Sequence, residues 1–173
     1  MCCLSARPDS ERVDSARTRS SRGCVIRRVL PEDIGVLVAL CSEHANFERA
    51  AYDAVGKAAR LSQALFAAPP RLYAWVAVVH GNAVGYATAS PEYSTWSAGE
   101  YLHMDCLFVQ SERRDIGIGA ALMASVMELA REHGYAEVQW QTPNWNVEAC
   151  RFYRRHGGVD QEKLRFVLRT GDR

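Results

Sequence analysis

From position 24 onward, short apolar runs alternate with amphipathic stretches, and the period of each separates strands from helices. CVIRRVL at 24–30 reads as a strand. Pro31-Glu32-Asp33 then opens a helix through 46, because proline and acidic residues suit a first helical turn. A second helix is predicted over 57–66. LYAWVAVVH and AVGYATAS flank Gly81-Asn82, a two-residue turn signal that predicts an antiparallel hairpin. PEYSTWSAGE at 91–100 reads as a loop and 101–110 as a strand. In AALMASVMELAREHG, Leu122, Val126 and Leu129 recur at helical spacing until Gly134 supplies a stop. A strand AEVQWQT, a helix NVEACRFYRRHG and a final strand over 164–168 complete the order. Strands that first pair locally and later alternate with helices predict a single α/β domain over 24–173, built on a mixed sheet.

Composition narrows the class. Of 173 residues, 48% are hydrophobic, enough to fill one core. The 21 basic and 20 acidic residues leave a formal charge of +1, which offers no electrostatic footprint for nucleic acid. No apolar run approaches the roughly 20 residues that span a bilayer, and the start of the chain lacks a secretory apolar stretch, so a cytoplasmic location and no membrane partner are expected. Residues 1–23 have few apolar positions and read as a disordered tail; Asp9, Glu11 and Asp14 argue against an acid-poor transit peptide. Cysteines at 2, 3, 24, 41, 106 and 150 have neither C-x-x-C nor Cys/His metal spacing, so no metal site is expected.

The candidate chemistry begins at RDIGIGAAL, 114–122, where two glycines sit at the entry to a helix. A glycine-rich turn there presents free backbone N–H groups and the positive end of the helix dipole, both suited to phosphate. A P-loop needs Lys-Ser/Thr after its glycines, and a dinucleotide fingerprint needs a third glycine where Leu122 stands; neither requirement is met.

Arg114-x-x-Gly117-x-Gly119, between the strand CLFVQ and an amphipathic helix, resembles the acyl-CoA pyrophosphate loop of the GNAT superfamily of N-acetyltransferases. The resemblance extends from about 24 to 168. It takes in VIRRVLPED, the hairpin, STW, and NWNVEACRFYRRH at 144–156 in place of that superfamily's N-x-x-A-x-x-F-Y segment. The combination is most similar to the branch of diamine, spermidine and thialysine acetyltransferases. It implies a mostly antiparallel sheet flanked by helices, acetyl-CoA as cosubstrate and a homodimer.

It also implies roles for particular residues. The strand at 101–110 splays from that at 136–142, and pantetheine bonds backbone groups near Leu107 and Val109. Arg114, Asp115, Gly117, Ile118, Gly119 and Ala120 cradle the pyrophosphate. Asn146, a good N-cap in its own right, touches the pantetheine arm. Tyr153 is the general acid, since a phenol with pKa near 10 is protonated at neutral pH and can donate to a departing thiolate. Asp105 is a candidate base. His103, two positions earlier on a strand and so on the same face, could relay a proton with it. Asp115 stands where the superfamily often has glycine. A carboxylate about 6 Å from a pyrophosphate oxygen would cost roughly 0.7 to 2.8 kcal/mol, unless it faces solvent.

The remaining residues read as structural. Cys150 is a small helical hydrophobe, and His133 and His156 end helices ahead of a glycine. Glu43, His44, Glu48 and Tyr52 lie in a region that shapes the acceptor pocket in the resembling family, but charged residues on early helices are more often solvated surface, and they stay outside the catalytic set. The expected function is acetyl transfer from acetyl-CoA to a primary amine of a small molecule, by direct attack in a ternary complex. The alternatives are an antibiotic-amine or protein-amine acetyltransferase, and an acyl-CoA-binding domain without turnover.

Overall fold

The computed structural model describes residues 19–21, 23–168 and 170. These fall into two compact units, the first ending at Trp140 and the second beginning at Gln141. In the first unit, β1 (Arg19–Ser21), β2 (Cys24–Arg28), β3 (Tyr73–Val79), β4 (Asn82–Ser94), β5 (Gly99–Val109) and β6 (Val138–Trp140) lie side by side in chain order. Every neighbouring pair is antiparallel except β5 and β6, so the sheet is mixed and mostly antiparallel. Three helices accompany it: α1 (Ile34–Phe47), α2 (Lys57–Leu65) and α3 (Ile118–Glu132).

The two faces of the sheet are covered by different helices. Leu37 and Leu40 of α1 and Leu65 of α2 pack with Ala74, Val76, Tyr86 and Phe108 in one apolar cluster. On α3, Leu122, Met123, Val126 and Leu129 are buried at helical spacing, and the helix packs along β2 to β5. Removing such apolar side chains from water contributes roughly 1.5 to 3 kcal/mol each. The start of α1 is fixed by Asp33, whose carboxylate accepts from the Arg27 guanidinium and from the Leu30 N–H at 2.8 Å. That pairing holds the Asp33 carboxyl below the ordinary carboxylate range.

Several boundaries depart from expectation. The hairpin turn sits one residue earlier than predicted. Val79 faces Asn82, and His80 (φ +49°) and Gly81 (φ +81°) occupy the two positive-φ positions that match the twist of the flanking strands. The loop expected over 91–100 shrinks to four residues, because β4 continues through Ser94 and β5 starts at Gly99. Within the expected tail, Arg19–Ser21 form β1 by pairing with the outer edge of β2, which supplies backbone partners that composition does not reveal; residues 1–18 and 22 lie outside the described residues.

The second unit contains α4 (Val147–Arg155), capped by Asn146, whose side-chain oxygen accepts from the Ala149 N–H at 3.2 Å. The final strand expected over 164–168 does not form: Leu164, Phe166, Val167 and Leu168 are all more than three-quarters exposed. An apolar run becomes a strand only when a sheet edge pairs with it, and no such ladder exists among the described residues. No described helix is long and apolar enough to cross a membrane.

Candidate active site

At the start of α3, Gly117 adopts φ +89° and no side chain caps the helix, so the first-turn N–H groups lack the usual capping partner. Asp115 also takes a left-handed conformation, φ +60°, and its side chain is exposed. This locates the residue that replaces the expected glycine: its backbone does what glycine would do, and its carboxylate meets water. Arg114 braces the loop by donating from Nε to the Val109 carbonyl at 2.9 Å and by lying 4.4 Å over the Phe47 ring. An uncapped helix start behind two left-handed residues suits an anionic group.

The backbone cost at Asp115 leads to a measurable consequence. Asp115→Gly is expected to remove less than about 1 kcal/mol of left-handed strain, because aspartate, like asparagine, visits that region. Against this, the unfolded chain gains entropy worth about 0.4 to 1 kcal/mol. The two nearly offset, and denaturant melts should show a net change within about 1 kcal/mol. Coenzyme A affinity should change by no more than about threefold, the value for a fully solvated charge at 6 Å.

The middle of β5 is irregular. Cys106 faces Thr88 and Met104 faces Ala89, so Asp105 is an extra residue with no partner on β4. Facing residues share a side of the sheet, so the insertion puts His103 on the side of Cys106 and Phe108. Asp105, the bulged residue, lies beside Cys106, its Oδ2 3.5 Å from the Cys106 sulfur. The ladder to β6 ends where the bulge begins, with Met104 opposite Trp140. Beyond that point, along Leu107 and Val109, β5 has no strand on this side among the described residues, because β6 ends at Trp140.

Asp105 lines a cavity of about 460 Å³ between α1, α2, β4 and β5. Its wall includes His44, Glu48, Tyr52 and Lys57, all brought together from a segment whose charged residues read in the sequence as solvated surface. Neither His103 nor Glu43 lines it. Glu43 accepts from Gln110 Nε2 at 3.0 Å, and Tyr101 donates to Glu92 at 2.6 Å. The signal for His44 was present in the helix period: it follows Leu37, Leu40 and Cys41 on the apolar stripe of α1.

His44 is held on both sides. Nδ1 lies 2.9 Å from the Tyr86 hydroxyl, Nε2 lies 3.5 Å from Glu48 Oε1, and the ring stacks on Phe108 at 5.0 Å. Burial pushes its pKa below the ordinary imidazole value, while Glu48 and Asp105 oppose that shift and Arg114 adds to it. Behind it, burial raises the Tyr86 phenol, which also contacts the Cys41 and Cys106 thiols. Burial pushes the Cys106 thiol up to about 12, aided by the Asp105 charge. Burial raises the Cys41 thiol as well. Both thiols are therefore protonated and do not act as nucleophiles at neutral pH.

In the second unit, Tyr153 lies on α4 with its ring edge-on to Phe152 at 5.3 Å. His156 bonds the Phe152 carbonyl from Nδ1 at 2.8 Å, and His133 does the same to Leu129 at the end of α3, at 3.1 Å, so both close helices as expected.

Comparison with known proteins follows the same lines. Residues 37–158 match the Acetyltransferase (GNAT) family, and the chain belongs to it. It is 28% identical over 125 residues to the thialysine N-epsilon-acetyltransferase of Caenorhabditis elegans, covering 72% of this chain and 76% of that protein. It is 28% identical over 88 residues to an L-ornithine N5-acetyltransferase of Arabidopsis thaliana, covering 51% of this chain and 39% of that one. Among solved structures, an aminoglycoside N-acetyltransferase in complex with CoA aligns with a TM-score of 0.74 at 18% identity, covering 92% of this chain and 100% of that one. At that identity the likeness speaks for the fold. The protein is an acyltransferase of a family whose acetyl donor is acetyl-CoA.

Proposed function

We propose that the protein transfers the acetyl group of acetyl-CoA to a primary amine of a small molecule, by direct attack in a ternary complex. The observation that carries this reading is the cavity beside the β5 bulge, which presents the Asp105 and Glu48 carboxylates within about 460 Å³. That volume suits a small ligand; of the cations that also line it, Lys57 lies over the Tyr52 ring and Arg60 donates to the Val55 carbonyl, which leaves the two carboxylates to meet an ammonium group. The relatives named for thialysine and ornithine acetylation support an amine on an amino acid or polyamine chain as acceptor.

The chemistry asks three things of the chain. The acyl donor is held by the start of α3 and the free edge of β5, through Gly117, Ile118, Gly119, Ala120, Leu107 and Val109, with Asn146 on the pantetheine arm. The departing thiolate takes a proton from Tyr153. The acceptor must lose a proton, since an alkyl ammonium with pKa near 10.4 is only about one part in 10³ to 10⁴ neutral at pH 7. Asp105 and Glu48 hold that ammonium. His103 is set aside because it does not line the cavity. The family resemblance further supports a homodimer, for which light scattering should give twice the chain mass.

The test is thiol release from acetyl-CoA with a panel of polyamines, diamino acids, aminoglycosides and peptides. At least one of the first two groups should accelerate it; acceleration by aminoglycosides or peptides alone would overturn the reading. With an active amine in hand, Asp105→Asn should raise KM about tenfold with little change in kcat, an effect that added salt should blunt because it rests on exposed charge.

A further inference from the structure

We propose that His44 takes the proton of the acceptor ammonium at Nε2, with Tyr86 fixing the ring from behind and Glu48 pairing with the imidazolium that forms. The inference rests on the small-amine reading above and gives its missing proton a destination. It also replaces the relay through His103 that the sequence suggested.

The geometry decides which nitrogen is free. Nδ1 is committed to the Tyr86 hydroxyl at 2.9 Å. In the tautomer this role requires, Nδ1–H donates to the Tyr86 oxygen. A neutral ring carrying its hydrogen on Nδ1 keeps its lone pair on Nε2. Nε2 stands 3.5 Å from Glu48 Oε1, longer than the roughly 2.7 to 2.9 Å of a charge-assisted bond, as suits a pair that closes only once the ring is charged. The side chain is 15% exposed and its ring lies against Phe108, so it is oriented in advance while still forming part of the cavity wall.

The charges around the ring favour the same cycle. Glu48 faces it from the residue after α1, Tyr86 from β4, Asp105 from β5 and Arg114 from the loop after β5; Cys41, Lys57 and Arg60 also line the cavity. Burial keeps the ring neutral and able to accept, while the Glu48 and Asp105 carboxylates stabilise the cation after transfer. Protons balance as follows. The ammonium gives one proton to Nε2, and the free amine attacks the thioester carbon, forming C–N. The C–S bond breaks as the amide nitrogen loses a second proton. Tyr153 supplies the thiolate's proton and is restored by that second one. The imidazolium then discharges to solvent through the cavity mouth, for a net release of one proton per turnover.

Two measurements decide it. His44→Gln keeps a group able to bond Tyr86 but cannot accept the ammonium proton. At pH 7 its amine-dependent kcat should fall about 10²-fold or more, and the deficit should shrink steadily as pH rises toward the amine's own pKa. Coenzyme A binding should not change. Added imidazole should restore part of the rate to His44→Ala. Ring-nitrogen NMR of the wild-type protein at pH 7 should show Nδ1 protonated and Nε2 bare. A deficit equal at every pH, full activity in His44→Gln, absence of rescue, or a proton resident on Nε2 would each overturn the role of His44 while thiol release by the wild type upheld the small-amine reading. Wild-type protein that releases no thiol with any amine would overturn both.

Discussion

Tyr153→Phe is expected to lower kcat by about 10² to 10⁴, the usual span for loss of a positioned general acid, while acetyl-CoA binds as before. The substitution keeps the ring that packs edge-on against Phe152 in α4. What disappears is a proton donor. An alkyl thiolate leaves as a strong base, and without a donor the tetrahedral intermediate returns to reactants more often than it goes forward. The defect should therefore depend on the donor. An aryl thioester, whose thiol is far more acidic, needs no protonation to leave and should react at nearly the same rate with either protein. If the loss were the same for both donors, the hydroxyl would be serving structure, and Tyr153 would return to the aromatic packing of the helix.

The elements that were legible from sequence are those specified by local rules. The Leu122, Val126 and Leu129 stripe announced α3, and the glycines marked its entry, where Gly117 takes φ +89°. The hairpin was visible for the same reason, although its turn sits on His80 and Gly81 because positive φ at both central positions matters more there than the identity of Asn82. What escaped is non-local. The bulge at Asp105 exists only as a mismatch between two strands, so counting in twos along one strand could not show that His103 shares a side of the sheet with Cys106 and Phe108. His44 was discounted as charge on an early helix, yet its position on the apolar stripe of α1 carried the contrary signal. The run over 164–168 has the pattern of a strand and lacks the neighbour that would make it one.

The pyrophosphate loop offers the second large effect. Gly117→Val is expected to weaken coenzyme A binding about 5- to 150-fold while leaving the fold intact. A Cβ at this position would meet nothing within 4 Å, so the substitution creates no clash with the protein itself. The difficulty is conformational: a β-branched residue held in the left-handed region costs about 1 to 3 kcal/mol, and the free loop will relax out of it. Binding must then restore the strained shape that presents the first N–H groups of α3, and that energy is subtracted from affinity at about tenfold per 1.4 kcal/mol. Gly117→Asn should lose much less, because asparagine visits the left-handed region readily. The contribution of the diphosphate can be isolated with a donor that lacks it. Acetyl-pantetheine binds without calling on these N–H groups, so its affinity should be the same for the wild type and for Gly117→Val. Equal weakening for both donors would mean that the loop shapes the pantetheine channel and does not cradle phosphate; equal affinity for coenzyme A in the two proteins would remove the turn from the donor site altogether.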